Sequence, residues 1–223
     1  MDEILTPKNQ VFPKLYTLGE EIVNAISHGI GFLLSIAALV LLIIRACGAS
    51  DCVAGYVVGY TIFGVSLILL YLMSTLYHSF VPSRVKKLFA VFDHTAIFIL
   101  IAGSYTAFCL GPLYGWDGWW FFGMIWSLAT IGVIAYCVYG EKARRFTFTL
   151  YLVMGWLAAL IANRLYASIP PASFHMLWIG GLCYTLGCIF FLLKRVRWMH
   201  SIWHFFVLAG SIMHFFSLYW AVE

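Results

Sequence analysis

Long stretches of the chain are almost wholly apolar, and polar residues gather in short intervals between them. A helix that crosses a membrane needs about 20 apolar residues, and seven stretches reach that length. They run over residues 22–44, 53–80, 91–111, 118–139, 147–167, 174–193 and 199–222. The intervals are too short to be linkers between domains. The pattern therefore predicts an all-α integral membrane bundle of seven transmembrane helices, with residues 1–20 as a tail and residues 21–223 as one domain.

Basic residues are distributed unevenly between the two ends of the predicted helices. Eleven of the 13 Lys and Arg residues lie in the tail or in the second, fourth and sixth intervals, which share one side of the membrane. Only Arg45 and Arg164 lie towards the other side. Because positively charged flanks remain in the cytoplasm, we expect a cytoplasmic amino terminus, a carboxyl terminus outside, and a multi-pass protein of the cell membrane.

The overall composition supports a membrane protein and says little about redox state or oligomers. Hydrophobic residues make up 63% of the chain and charged residues only 10%, which is too few to cover a soluble domain. No basic run indicates nucleic-acid binding, so membrane lipids are the expected partners, and a homo-oligomer stays open. Cys47 and Cys52 flank a predicted loop, where either a disulfide or two unpaired thiols is compatible with the sequence.

The predicted topology places the ionisable residues of four helices at one depth, near the cytoplasmic end. The first helix begins with Glu21, Asn24 and His28, the second ends with Ser74 and His78, the third begins with Asp93, and the last begins with His200 and His204. Ionisable side chains inside a membrane are costly, so a functional site is their default interpretation.

The histidines in this layer have the spacing of a metal site. His200 and His204 are four residues apart and therefore share a helix face. With His78 they would supply the three protein ligands that a catalytic zinc uses, and imidazole ligands suit zinc. Asp93 would then act as general base towards a water whose pKa the metal lowers. Ser74 would either donate to a developing oxyanion or hydrogen-bond to its own helix.

Other polar residues of the layer have supporting or structural interpretations. Glu21, Asn24 and His28 form one stripe on the first helix, where they could orient the ligands, carry protons or cap the helix. His94 must point about 100° away from Asp93, which favours packing or a bond between helices. His214 lies about 15 Å deeper than His204 along the last helix and is expected to be a bundle contact.

Two alternatives to the zinc site also follow from the histidines. They could bridge helices by hydrogen bonds without binding a metal, or two of them on facing helices could hold a haem. A retinal-type Schiff base is excluded because no lysine lies within a predicted span.

Several separated motifs resemble the bacterial hemolysin III branch of the progestin and adipoQ receptor superfamily. They are Ser27–Gly31, Ser74–His78, Asp93–His94, Ala102–Thr106, Gly155–Trp156 and His200–His204. The resemblance implies a seven-helix fold in which His78, His200 and His204 hold zinc and Asp93 bonds to a water. It also implies kinship with alkaline ceramidases, which cleave lipid amides with the same pattern of serine, aspartate and histidines.

Two classes of function agree with these observations. The first is a zinc-dependent intramembrane hydrolase that acts on a lipid acyl amide or ester and contributes to membrane lipid homeostasis. The second is a non-catalytic membrane protein, either a pore-forming haemolysin or a sensor with a structural zinc. The sequence leaves the substrate, and turnover itself, open.

Overall fold

A computed structural model describes residues 16–50, 53–81, 83–193 and 196–222 of the chain. These residues form eight α-helices joined by turns and by two short 3-10 helices, and no β-strand occurs among them. The helices are α1 (Leu18–Cys47), α2 (Val53–Ser79), α3 (Arg84–Leu110), α4 (Trp116–Tyr139), α5 (Arg144–Trp156), α6 (Ala162–Ser168), α7 (Pro171–Leu192) and α8 (Met199–Trp220). The prediction of an all-α fold is confirmed.

Six helical segments in the described part of the chain are long and apolar enough to cross a membrane. Five of them are α1, α2, α3, α7 and α8, and the sixth is the 53-residue segment Trp116–Ser168, which contains α4, α5 and α6. Their large outward-facing side chains are mostly aliphatic or aromatic, as lipid contact requires.

The first helix begins earlier than its apolar stretch, inside the predicted tail. The Thr17 hydroxyl accepts the Glu20 amide, and the Glu20 carboxylate accepts the Thr17 amide at 2.8 Å, which together form a capping box. A count of apolar residues does not include the polar residues at the end of a helix, so it placed the start of the first helix later than the structure does. The rest of the tail, residues 1–15, lies outside the described residues, and so does Cys52, for which the sequence allowed either a disulfide with Cys47 or a free thiol.

The segment Trp116–Ser168 folds back on itself at Gly140, which has a left-handed φ of 54°. Before the turn, the Tyr136 ring stacks on His94 and the Trp126 indole donates to Thr106, so α4 runs antiparallel to α3. After the turn, the Tyr151 hydroxyl donates to the His94 carbonyl, and α5 runs parallel to α3.

A single helix predicted over residues 147–167 is interrupted by the 3-10 helix Leu157–Ile161. The Tyr105 hydroxyl, from α3, donates to the Met154 carbonyl at 2.8 Å and accepts the Ala158 amide at 2.8 Å. Backbone groups freed at such a break need partners. Because the partner here comes from another helix, the apolar pattern alone could not predict the break.

The helices form a closed bundle in which α1 packs on α2 and α8, α2 on α3, α3 on α4, and α7 on α8. This order brings the start of α1, the end of α2 and the start of α8 together at one end of the bundle. The start of α3 lies at the same end because only a short turn separates it from α2.

Close packing at the start of α4 should make Gly118 intolerant of a side chain. A Cβ atom at Gly118 would overlap the backbone carbonyl oxygens of Cys109 and Leu113. We expect Gly118→Ala to destabilise the fold by about 1–3 kcal/mol or more, because backbone cannot yield as a side chain can. Thermal unfolding in detergent measures the effect. Gly123→Ala is the matched control, since its Cβ would meet nothing within 4 Å, and an equal loss in both variants would contradict the packing argument.

Candidate metal centre

Three buried histidines converge where the end of α2 meets the start of α8. His78 lies in the last turn of α2, and His200 and His204 lie on one face of the first turns of α8. The Nε2 atoms of His78 and His200 are 3.4 Å apart, and those of His200 and His204 are 3.2 Å apart. The ligand atoms of all three side chains lie within 4.8 Å of one another.

Two of the three separations between these nitrogens match the edges of a tetrahedral metal site. With Zn–N bonds of about 2.0–2.1 Å, two ligand nitrogens of a tetrahedron are separated by about 3.3 Å. The two measured Nε2 separations bracket that value. Two axial ligands of a haem approach the iron from opposite faces, and the His78–His200 and His200–His204 nitrogens are too close for that arrangement, so neither of these pairs suits a haem.

Glu21 on α1 determines how the His78 ring is oriented. The Nδ1 atom of His78 donates to Glu21 Oε2 at 2.6 Å, and Lys86 Nζ donates to Glu21 Oε1 at 2.7 Å. A carboxylate only accepts, so Nδ1 carries the hydrogen and Nε2 keeps its lone pair for a metal. Asn24 lies beside the same ring, with its amide nitrogen 3.4 Å from Nδ1.

A second chain of hydrogen bonds orients His204. The Ser27 hydroxyl donates to the Asn24 carbonyl at 3.1 Å, so its oxygen is left to accept from His204 Nδ1 at 3.4 Å. The Nε2 lone pair of His204 then points to the same centre. The Asn24 side-chain oxygen accepts the Ser201 hydroxyl at 2.6 Å, which links α1 to α8 directly beside the ligands.

Two aromatic side chains cover the ligand rings. His28 stacks on His204 with ring centroids 3.6 Å apart, and Tyr16 stacks on His200 at 4.6 Å. Tyr16 is only 5% exposed, and this burial, reinforced by the nearby acidic groups, raises the pKa of its hydroxyl well above the ordinary value. The stacking favours one plane for each ligand ring and keeps bulk water away from the nitrogens.

The connection before α8 is tied to the start of α1. Trp198 has a left-handed backbone with φ 66°, and its amide donates to Glu20 Oε1 at 2.7 Å. Glu20 is buried and also caps α1. The tie holds the α1 stripe that carries Glu21, Asn24 and Ser27 in register with the histidines of α8.

Asp93 and Ser74 lie on the wall of a cavity that also exposes His200 and His204. Its volume is about 70 Å³, room for several water molecules. Of the hydroxyls near the end of α2, Thr75 and Ser79 donate back to their own helix. Among the described residues no such bond is seen for Ser74, which leaves its hydroxyl to the cavity. His94 packs on Tyr136, as its position predicted, while its Nδ1 atom bonds to the Ala90 carbonyl of its own helix and not to another helix.

Comparison with known proteins supports the family resemblance that the sequence motifs indicated. The sequence profile of the haemolysin-III-related family matches residues 16–215. A Hemolysin-3 homolog from Bacillus subtilis (strain 168) is 46% identical over 204 residues, which cover 92% of this chain and 95% of that protein. Hemolysin-3 from Bacillus cereus is 45% identical over 199 residues, covering 89% and 90%. The chain belongs to the haemolysin-III-related family. The human Monocyte to macrophage differentiation factor is 30% identical over 168 residues, covering 71% and 68%, and supports the wider superfamily.

Membership of the haemolysin-III-related family, together with the six apolar helices, makes the chain a multi-pass membrane protein.

Several residues of the candidate metal centre were missed by reasoning from the sequence. Ser27 follows Asn24 by three residues, so the polar stripe on α1 could have revealed it. Lys86 and Tyr16 carried no comparable signal, because a lysine beside an apolar span is read as a charged flank and a tyrosine as an interfacial anchor.

The hydrogen bond between Glu21 and His78 predicts that Glu21 contributes to the metal affinity of this haemolysin-III-related protein. Glu21→Gln removes the charge that stabilises the His78 Nδ1 hydrogen, and loss of such a partner usually lowers metal affinity by about 10–100-fold. Zinc titration against a competing chelator should show a weakening in this range. Asp117→Asn is the control, since Asp117 pairs with Arg164 at the exposed start of α4, does not line the cavity beside the histidines and should leave the affinity unchanged. Equal affinities for wild type and Glu21→Gln would refute the role of Glu21.

Proposed function

We propose that this haemolysin-III-related protein is a zinc-dependent intramembrane hydrolase that cleaves an acyl amide or ester bond of a membrane lipid. The observation that carries the proposal is the convergence of three imidazole side chains, two of whose nitrogen separations match a tetrahedral site, beside a cavity with a carboxylate and a hydroxyl on its wall. A purely structural zinc site is closed by a fourth protein ligand. Among the described residues the cluster has only three, which leaves a position for water or substrate.

The residues present fit zinc and supply complementary chemistry. His78, His200 and His204 would hold the ion, which, when bound, would lower the pKa of water and polarise a carbonyl. Asp93, on the wall of the same cavity, can accept the proton of an attacking water. The Ser74 hydroxyl can donate to the oxygen on which negative charge develops.

A larger cavity beside the site suits the acyl chain of a lipid. It has a volume of about 150 Å³, its lining is overwhelmingly apolar, and it shares Leu70, Ile97, Phe191, Trp203 and Val207 with the smaller cavity. Transfer of a hydrocarbon chain from water into this space would be favourable. Its polar end would then lie next to the histidines, where the scissile carbonyl is needed.

The proposal includes the topology predicted from the sequence, with seven spans and a cytoplasmic amino terminus. The reversal at Gly140 supports two crossings within the segment Trp116–Ser168, which with the other five candidate spans make seven. The basic residues at the start of α3 and around residues 140–145 then share one side. The metal centre would lie in the cytoplasmic leaflet, where cell-membrane lipids reach it by lateral diffusion.

The experiment that tests the function uses purified full-length protein reconstituted in lipid vesicles. Two lipids with the same acyl chain, one linked by an amide and one by an ester, are supplied, and mass spectrometry follows the released fatty acid. In cleavage, water adds to the carbonyl, the carbon–nitrogen or carbon–oxygen bond breaks, and the amine or alcohol leaves with a proton. We expect release that stops on chelation and returns with zinc. Stoichiometric zinc without release from amides or esters would instead favour a structural metal.

A further inference from the structure

Tyr16 lies on the wall of the cavity beside the histidine cluster, just before the capped start of α1. Its ring stacks on His200 with an interplanar angle of 19°, and it is tilted against His78 with ring centroids 5.6 Å apart. Only 5% of the residue is exposed. Contacts with two of the three candidate ligands therefore hold this ring in place, and with it the Tyr16 hydroxyl.

The Tyr16 hydroxyl has no partner in the protein, although the side chain is buried. It makes no hydrogen bond within the described part of the chain, yet its oxygen is not one of the polar atoms that are sealed inside without a partner. Other buried tyrosines are paired, since Tyr60 donates to the Leu218 carbonyl and Tyr71 to the Ser211 hydroxyl. Buried hydroxyls normally have a partner, so an accessible one without a partner on a cavity wall is available to a molecule that enters the cavity.

The groups around the Tyr16 hydroxyl belong to the proposed reaction site. Asp93 and Ser74 line the same cavity. Burial is the main reason why the pKa of Tyr16 is raised, and the hydroxyl of Tyr77 and the carboxylate of Asp93 raise this pKa further because they are close to it. The Tyr16 hydroxyl therefore lies near the proposed base, and like any ordinary tyrosine it carries its proton at neutral pH and can act as a donor.

A hydroxyl donor in this place has a defined use in the cleavage of an amide or ester. When water adds to the carbonyl carbon, negative charge develops on the carbonyl oxygen, and fixed donors aimed at that oxygen stabilise the transition state. Ser74 reaches the cavity from near the end of α2, and Tyr16 reaches it from the start of α1. Because His200 already holds the Tyr16 ring, this donor needs little reorganisation during the reaction.

We propose that Tyr16 is a further catalytic residue, which together with Ser74 donates a hydrogen bond to the oxygen of the scissile carbonyl. The inference deepens the proposed hydrolase and rests on it. The Tyr16 hydroxyl keeps its proton throughout, since the proton of the attacking water passes to Asp93 and from there to the leaving amine or alcohol. Tyr16 thus stabilises developing charge and takes no part in proton transfer.

The test compares Tyr16→Phe with the wild type, because phenylalanine keeps the stacked ring and removes only the hydroxyl. The purified full-length, zinc-loaded protein is given two lipids that it cannot cleave. One is a phosphonate, whose charged tetrahedral group resembles the transition state, and the other is an ether of the same chain without a carbonyl. We expect Tyr16→Phe to bind the phosphonate about tenfold or more weakly, as loss of a hydrogen bond to a charged group allows. It should bind the ether like the wild type and retain about one zinc per chain.

Turnover should change in the same sense as phosphonate binding. With the better of the two test lipids, kcat of Tyr16→Phe should fall about 10²–10³-fold, the usual cost of removing one such donor, while KM changes little because the hydrogen bond strengthens only in the transition state. Tyr114→Phe, at an exposed position before α4, should match the wild type in every measurement.

The outcomes separate the role of Tyr16 from the hydrolase itself. Wild-type kcat and phosphonate affinity in Tyr16→Phe would overturn the role of Tyr16 alone. An equal loss of affinity for both lipids, or a loss of zinc, would also overturn it, because the residue would then act through the shape of the cavity or through the metal. A selective loss in Tyr77→Phe instead, on the same wall, would overturn it in favour of that tyrosine. A wild type that releases no fatty acid and binds both lipids equally would overturn the hydrolase and, with it, the role of Tyr16.

Discussion

Replacing His200 by alanine should abolish zinc binding. The wild type is expected to purify with about one zinc per chain, and the variant with almost none. His200 Nε2 takes part in both of the short nitrogen–nitrogen separations, so its loss leaves His78 and His204 without a common third ligand. We expect a loss of affinity well beyond about 100-fold, since even partners outside the ligand set contribute about 10–100-fold. Elemental analysis and chelator competition provide the measurement.

In the same variant, the unfolding temperature should no longer depend on zinc. A ligand that binds only the folded protein stabilises it by about 2.7 kcal/mol at a concentration 100 times its dissociation constant. Chelation should therefore lower the unfolding temperature of the wild type and leave that of His200→Ala unchanged. His175→Ala, an exposed histidine outside the cluster, should behave like the wild type. One tightly bound zinc per chain in His200→Ala would refute the three-histidine site.

Replacing Asp93 by asparagine should leave zinc in place and suppress hydrolysis. Asp93 is not one of the three clustered ligands, but it lies on the wall of the cavity that His200 and His204 also line. An amide of the same shape cannot accept the proton of water, and loss of a general base costs about 10²–10⁴-fold in rate. Fatty-acid release from the better of the two test lipids should fall by that factor while the zinc content stays at one per chain.

A matched carboxylate controls for charge and fold. Asp117→Asn breaks an exposed ion pair with Arg164 at the start of α4, and it should change the rate little because it does not line the cavity with the histidines. Release by Asp93→Asn at the wild-type rate would eliminate Asp93 as the base, and the hydrolase would then need another proton acceptor. Loss of zinc in Asp93→Asn would instead give Asp93 a role in holding the metal.

The candidate site was partly predictable because its ligands obey a local rule. His200 and His204 share a helix face by spacing alone. His78 could be added because the predicted topology placed the end of the second helix at the same depth, and the short turn after that helix then placed Asp93 nearby. The hydrogen bonds that orient these rings were not predictable. Ser27 and His204 are far apart in sequence, and only the packing of α1 on α8 brings the Ser27 oxygen to the His204 ring.

Sequence by itself determined that the chain is helical, spans a membrane and has His78, His200 and His204 towards one end of its helices. In lipid every backbone polar group must be paired internally, so an apolar stretch of sufficient length has no common alternative to a helix. The tertiary structure decided where the chain reverses and breaks, and which carboxylate orients His78. These features depend on contacts between helices, such as the Tyr105 hydroxyl at the break after α5, and the apolar pattern of one helix does not encode which polar atom of another helix will meet it.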